Sequence, residues 1–364
     1  MVVVDMTQNV AGPYAAMVLA DLGANVTKLE PPAGDPTTTW GPPFWNGHSA
    51  TYLALNRNKR RETVDVKLEE GRRRVFNLLE DADVLLVSNR PAALQRAGLD
   101  YERLHELFPR LIYAEITAFG HHGPRRSDPG YDPLMQAMGG IMSVTGHPGD
   151  EPVRVGTSIV DMGTGMWVAM GVMAALRMRE RTGRGHRVTG ALFETAVAWM
   201  TYHITSYWAS GDVPHGWGSG TAMIAPYEAF PALDGWIVMA AGNDKLFEQL
   251  CRVLGRGDWI DSPEYRTNAD RVRNRARLRE EISQITRQAT VAEWEVRLRE
   301  AGIPGAPVAD VAEVLQNPQL LSGDLIQAMG TASIPNFRSV GLPLTFDGRR
   351  PPLRTPPPGL DTSS

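Results

Sequence analysis

The chain has 364 residues, of which 43% are hydrophobic and 21% charged, with 41 acidic against 37 basic side chains and a formal net charge of −4. It is long enough for two cores, and it lacks the global basic field that nucleic acid or an anionic membrane surface would select. Its one cysteine, Cys251, excludes an internal disulfide and a cysteine-based metal cluster and suits a reducing compartment, so a cytoplasmic protein is expected.

Residues 2–5 form a β-branched strand, and Gly12-Pro13 marks a turn and a helix start. Residues 14–22 read as a helix closed by Gly23, and residues 25–30 as a second strand ending in Glu30. This is the outline of a nucleotide-binding βαβ unit, but the turn holds one glycine rather than G-x-G-x-x-G, which argues against a dinucleotide oxidoreductase. The basic cluster Asn56-Arg57-Asn58-Lys59-Arg60-Arg61 reads as a solvated edge or as a phosphate site. Further on, residues 71–82 and 94–98 are predicted helices and residues 83–88 and 111–117 strands, an alternation that predicts a mainly parallel sheet covered by helices. The tandem His121-His122 have no third ligand at workable spacing, so a loop and no metal site are expected. Residues 125–149 read as loop-rich.

The pivotal stretch is residues 156–175, where Asp161 sits between Thr157-Ser158-Ile159-Val160 and a long apolar run, with Gly163 and Gly165 close behind. It predicts a buried helix with Asp161 at or near its N-cap. Two roles follow: a plain cap, or a covalent nucleophile beside glycines whose N–H groups offer an oxyanion site. The uncharged run over 162–176 is about 15 residues long and too short to span a bilayer. After a strand at Gly185–Leu192 and a helix over 194–208, a linker is expected over 209–222. A second region begins at 223, with a hairpin across Asp234-Gly235 and helices over 245–254, 274–289 and 291–302. Arg271, Arg273, Arg275, Arg277 and Arg279, leading into Glu280 and Glu281, read as a solvated helix face. A helix over 309–316 leads to a proline-rich end and Thr362-Ser363-Ser364.

Several blocks, in order from about Val2 to Pro343, resemble the family III CoA-transferases of the formyl-CoA and carnitine CoA-transferase type. They are Asp5-Met-Thr-Gln-Asn-Val-Ala-Gly-Pro-Tyr14, the run from Leu19 to Pro32, Asn56-Arg-Asn-Lys-Arg60, Asp83-Val-Leu-Leu-Val87 with Arg90-Pro91, and Pro109-Arg-Leu-Ile-Tyr-Ala114. Gly130-Tyr-Asp132, the run from Gln136 to Gly146, and Arg181-Thr-Gly-Arg-Gly185 complete the set.

The resemblance implies a Rossmann-like α/β large domain made from both chain ends (1–208 and 309–364), a small α/β domain (223–308) inserted between them, and an interlocked, ring-like homodimer. It places the family's nucleophilic aspartate on Asp161 and CoA contacts at Val10, Ala11, Val64, Lys67 and Arg96. Tyr131, Gly242 and Asn243 are expected near the acyl substrate, with Trp208, Trp217, Met142 and Met223 as further apolar candidates. No permanent cofactor is implied: a coenzyme A thioester is the donor, a carboxylic acid the acceptor, and neither nucleic acid nor membrane a partner. The same fold carries α-methylacyl-CoA racemases, which need a base on each face of the α-carbon; here Tyr131 stands where they have histidine. A CoA-binding scaffold without turnover is the non-enzymatic alternative. Three blocks depart from the family pattern: no arginine follows Gly34-Asp35-Pro36, Leu86-Val-Ser-Asn-Arg-Pro91 is altered, and the end lacks the usual Gly-Glu-His turn and helix.

Overall fold

The computed structural model describes residues 1–360, so Thr362, Ser363 and Ser364 lie outside the described residues. The chain runs β1 (Val2–Asp5), α1 (Ala11–Asp21), β2 (Asn25–Glu30), a small hairpin of β3 (Phe44–Trp45) and β4 (His48–Ser49), α2 (Ala50–Leu55), β5 (Lys59–Thr63), α3 (Glu69–Leu79), β6 (Val84–Val87), α4 (Pro91–Ala97), α5 (Tyr101–Leu107) and β7 (Ile112–Thr117). There follow α6 (Asp132–Met138), α7 (Ile159–Thr182), β8 (Arg187–Ala191), α8 (Leu192–Trp199) and α9 (Thr201–Ser210). Then come β9 (Tyr227–Pro231), β10 (Trp236–Ala240), α10 (Asp244–Val253), α11 (Asn268–Arg273), α12 (Arg275–Thr286), α13 (Val291–Glu300), β11 (Gly305–Pro307), α14 (Val311–Gln316), α15 (Pro318–Leu321), β12 (Ile326–Ala328) and β13 (Arg338–Val340).

Two compact units result. Among the described residues the first comprises 1–141, 154–205 and 318–360, the second 142–153 and 206–317. The first unit is built on a six-stranded parallel sheet in the order β5-β2-β1-β6-β7-β8. Counted along the chain that is 3-2-1-4-5-6, the doubly wound order, whose crossovers reverse direction between β1 and β6. Central strands are buried on both faces because helices cover both: all four residues of β6 and the first five of β7 are buried. On one side Val4, Leu29, Val75, Leu79, Leu85, Leu94, Leu104 and Tyr113 form a continuous core. On the other, α1 crosses α7 so closely that a Cβ on Gly165 would lie 2.6 Å from Ala11 O.

The basic cluster is neither a solvated edge nor a phosphate site over most of its length. Arg57, Asn58 and Lys59 are buried. Arg57 pairs with Asp21 at 2.6 Å, and Lys59 Nζ donates to Pro13 O and Asn56 Oδ1. Asn58 ties in the returning chain: its N–H donates to Thr355 O at 2.9 Å and its Oδ1 accepts from Arg354 N and Thr355 N. Ile334, Phe337 and Leu360 pack with Tyr52 and Leu53. Glu30, the acid that ends β2, accepts from the Tyr52 hydroxyl at 2.8 Å.

Helix α7 starts two residues before Asp161, at Ile159, and its charged last turn ends at Thr182 with Gly183 as a left-handed cap. At 24 residues it is, by length and composition, long enough to cross a membrane, with 44% of the relevant window buried. Val160, Val168, Ala169 and Val172 face the interior, whereas Met166, Trp167, Met170 and Met173 are exposed. The expected single helix over 194–208 is two, broken at Met200.

In the second unit β9 and β10 form the expected antiparallel hairpin, and β11 adds to β10. Phe230, Ile237, Phe247, Leu250, Cys251, Trp259 and Trp294 make its core; burial pushes the Cys251 thiol up to about 12. The arginine row is not a solvated face. Spacing of two scatters side chains around a helix, and α11 and α12 are separate helices. Arg271 is fully buried and donates to Ala225 O, Tyr265 O and Asp244 Oδ1, while Arg275 donates to Thr221 O and Ile224 O, and Arg279 pairs with Glu228.

Candidate active site

The C-terminal ends of β1, β6, β7 and β8 open on one cleft of about 280 Å³. It lies at the β1/β6 reversal of winding, where adjacent loops diverge and leave a crevice. Its walls are the β1–α1 turn from Gln8 to Gly12, Ser88 to Pro91 after β6, Ile116 to His121 after β7, the segment from Arg126 to Tyr131, Asp161 and Leu192.

A buried polar scaffold beneath the cleft holds the β1–α1 turn. Asp5 Oδ1 accepts from Thr7 N at 2.9 Å, and its Oδ2 lies 3.2 Å from Lys59 Nζ. Lys28 Nζ donates to Thr7 O at 2.9 Å and to Asp35 Oδ2 at 2.8 Å. Asp35 Oδ1 accepts from Thr37 N and Asn9 N. Burial would raise the Asp35 carboxyl, but the Lys28 ammonium and the Thr37 hydrogen bonds outweigh it and hold it below its ordinary value. Gly12 is required here, since a Cβ would fall 2.2 Å from Thr7 Cβ. Val10 and Ala11, predicted CoA contacts, thus sit on a rigid cleft wall at the start of α1.

Asp161 reaches the cleft from the first turn of α7. It is the third helical residue rather than the cap; Ser158 occupies the N-cap and makes no side-chain cap bond. The cap is supplied from α6: Asp132 Oδ2 accepts from Val160 N at 2.8 Å and from Asp161 N at 3.2 Å. Desolvation, with the Asp132 charge adding to it, pushes the Asp161 carboxyl up to about 7. Gly163 and Gly165 do not form the expected oxyanion site. They lie past the free N–H groups of the first turn, and they serve close packing, Gly163 against Trp199 and Gly165 against α1.

Tyr131 is exposed, caps α6 and lines the cleft beside Asp161. Val64, Lys67 and Arg96 are not cleft residues. Val64 is packed in the core beside Leu94, while Lys67 and Arg96 are exposed, on the loop after β5 and on α4. Gly242 and Asn243 belong to the second unit, where Asn243 caps α10 by accepting from Leu246 N at 2.9 Å. Trp208, Trp217, Met142 and Met223 also belong to that unit, and none lines the cleft.

Sequence reasoning passed over Asp132, Gln136, Asn89, Arg126 and a role for His121. Asp132 and Gln136 carried a signal, an acid and an amide four residues apart on one helix face. Asn89 Oδ1 is buried without a hydrogen-bond partner. His121 lies 3.0 Å from buried Glu115, which also pairs with Arg187. Arg90 and Arg126 line the cleft with no acidic partner among the described residues. No group of three potential metal ligands occurs among the described residues.

Comparison with known proteins agrees with this arrangement. The family model described as CoA-transferase family III matches residues 1–363. The succinyl-CoA:glutarate CoA-transferase of Mus musculus is 35% identical over 359 residues, covering 98% of this chain and 82% of the relative. The acetyl-CoA:oxalate CoA-transferase of Acetobacter aceti is 35% identical over 365 residues, covering 99% and 92%. The crystal structure of a CAIB/BAIF family protein from Brucella suis superposes with a TM-score of 0.89 at 36% identity, covering 99% of this chain and 95% of that one. The doubly wound sheet, the cleft at its switch point and full-length similarity to these proteins together place the chain in CoA-transferase family III, as an enzyme of that class.

Proposed function

We propose that this enzyme moves CoA from an acyl-CoA thioester to a carboxylic acid through covalent intermediates on Asp161. The observation that carries this reading is a single half-buried carboxyl, raised to about 7, opening from the first turn of α7 onto the cleft at the β1/β6 switch point. A more basic carboxylate is a better nucleophile toward a thioester.

Asp161 attacks the donor carbonyl, the C–S bond breaks, and CoA leaves as thiolate with a mixed anhydride on Asp161. The thiolate attacks the aspartyl carbonyl of that anhydride, giving an aspartyl-CoA thioester and releasing the donor acid as carboxylate. The acceptor carboxylate attacks this thioester and expels the thiolate. The thiolate then takes the acceptor acyl group and regenerates the Asp161 carboxylate. Each intermediate is open to hydrolysis, so the site must exclude water.

The relatives named above act on succinyl-CoA or acetyl-CoA with glutarate or oxalate, which supports short dicarboxylates as acids for this chain. Arg90 and Arg126 are cations suited to a second carboxylate or to CoA phosphates. Val10, Ala11, Val64, Lys67 and Arg96 are proposed to contact CoA, with Tyr131, Gly242 and Asn243 near the acyl group. An interlocked homodimer, with a small domain inserted in the large one, is supported by the exposed apolar row Met166, Trp167, Met170 and Met173, which a second chain would cover. Cytoplasmic location accords with a single buried cysteine.

The test is intact-mass analysis of the protein mixed with a panel of acyl-CoA donors, with and without hydroxylamine, followed by peptide mapping. A CoA-sized or acyl-sized adduct on Asp161 that hydroxylamine removes is expected. Absence of any adduct, together with α-proton exchange in deuterated water, would replace the transferase with a racemase using Asp161 and Tyr131.

A further inference from the structure

We propose that Asp132 is the positioning residue of the Asp161 carboxylate, acting as a remote N-cap that fixes the start of α7 at the cleft. The inference rests on the reading of Asp161 as nucleophile.

Asp132 is 2% exposed and has no cationic partner among the described residues. Its Oδ2 takes the N–H groups of Val160 and Asp161, and its Oδ1 accepts from Gln136 Nε2 at 2.5 Å. Gln136 is held in turn, because its Oε1 accepts from Val155 N at 2.9 Å and its Nε2 lies 3.4 Å from Val155 O. The chain Val155–Gln136–Asp132 therefore pins the first turn of α7 from a neighbouring helix. With Ser158 making no side-chain cap bond, Asp132 is the side chain that satisfies donors at this helix end. A cap alone could be serine or asparagine. A buried carboxylate is costly unless it is hydrogen-bonded, and three donors, Gln136 Nε2, Val160 N and Asp161 N, offset that cost at Asp132.

The other titratable and charged side chains on the cleft are His121, Tyr131, Asp128, Arg90 and Arg126. Tyr14 on α1 and Glu194 on α8 lie on helices packed near α7 or the cleft loops. Burial is the larger cause of the raised Asp161 carboxyl, and Asp132 is the charge that adds to it. Asp132 thus adds to the basicity of the nucleophile while holding its backbone still.

The experiment compares wild type, Asp132→Asn, Asp132→Ala and Asp161→Asn. Carbodiimide labelling of Asp161, mapped by peptide across pH 5 to 9, reads the protonation of that carboxyl whether or not it is a nucleophile. Asp132→Asn keeps an acceptor for the α7 N–H groups and removes the charge. It is expected to retain the thermal midpoint within a few degrees and to move the Asp161 profile down by about one pH unit. Asp132→Ala is expected to lower the single-turnover rate of adduct formation by about a hundredfold, with little change in the donor concentration needed for half saturation. A labelling profile in Asp132→Asn that overlays wild type, or an Asp132→Ala protein with an unchanged adduct rate, would overturn the proposal. Adduct persisting in Asp161→Asn would instead overturn the nucleophile reading, and the labelling profiles would still decide the Asp132–Asp161 relationship.

Discussion

Lys59, buried on β5, reaches beneath the β1–α1 turn to Asp5 at the end of β1, with Nζ 3.2 Å from Asp5 Oδ2 and 2.8 Å from Pro13 O. One ammonium thereby links the end of a strand to the first turn of the helix that walls the cleft. Removing one partner of such a pair leaves an uncompensated buried charge. Lys59→Met is therefore expected to destabilise the protein by about 3–5 kcal/mol, read from the denaturant midpoint. A loss under 1 kcal/mol would mean the turn does not depend on this link.

Burial, with the Asp132 charge, raises the Asp161 carboxyl in the folded protein to about 7 from an ordinary 3.8. The folded state thus binds more protons between these values. The associated stability is complete below pH 4 and is lost as pH rises through 7. Asp161→Asn, which cannot ionise, should raise stability at pH 8 by up to about 3 kcal/mol and leave it unchanged at pH 4. Thermal melts at the two pH values check this; equal shifts at both would contradict the assigned cause.

The same carboxyl must be ionised to attack a thioester. The second-order rate of adduct formation, which reports the free enzyme, should fall about tenfold per pH unit below 7 and level off above it. A flat profile from pH 5 to 8 would show that Asp161 is not the titrating nucleophile.

Gly165 and Gly163 differ in what a methyl group would meet. At Gly165 it would lie 2.6 Å from Ala11 O and 3.1 Å from Ala15 N, both backbone atoms of α1. At Gly163 it would meet the indole of Trp199, a half-exposed side chain with room to swing. Gly165→Ala is expected to cost about 2–3 kcal/mol and to slow adduct formation by displacing Ala11, with Gly163→Ala costing less. Denaturant melts of the two variants decide it, and the reverse order would contradict the helix crossing described.

In the second unit, Arg271 holds Ala225 O, Tyr265 O and Asp244 Oδ1 from a fully buried position, while Asp244 is largely exposed. Arg271→Met strands two carbonyls and is expected to destabilise by about 3 kcal/mol, against about 1 kcal/mol or less for Asp244→Asn. Equal effects in chemical melts would assign the energy to the ion pair instead of the carbonyls.

Local pattern by itself determined much of the first unit. Val84–Val87 and Ile112–Ala114 carry no charge on either face, which signals buried parallel strands; the βαβ outline of residues 2–30 follows from strand, turn and helix periodicity. Family-like blocks likewise single out Asp161, Val10, Ala11 and Tyr131, and all four line the cleft. What local pattern could not decide is which charges are solvated. Arg57, Lys59 and Arg271 look like surface residues, since nothing nearby in sequence announces Asp21, Asp5 or Asp244. Their partners lie 36, 54 and 27 positions away. The cap of α7 was hidden for the same reason: Asp132 precedes Asp161 by 29 positions, and only tertiary packing of α6 against α7 brings its carboxylate to those N–H groups. Periodicity reports the face a residue occupies, whereas the partner that makes a buried charge tolerable is set by the folded chain.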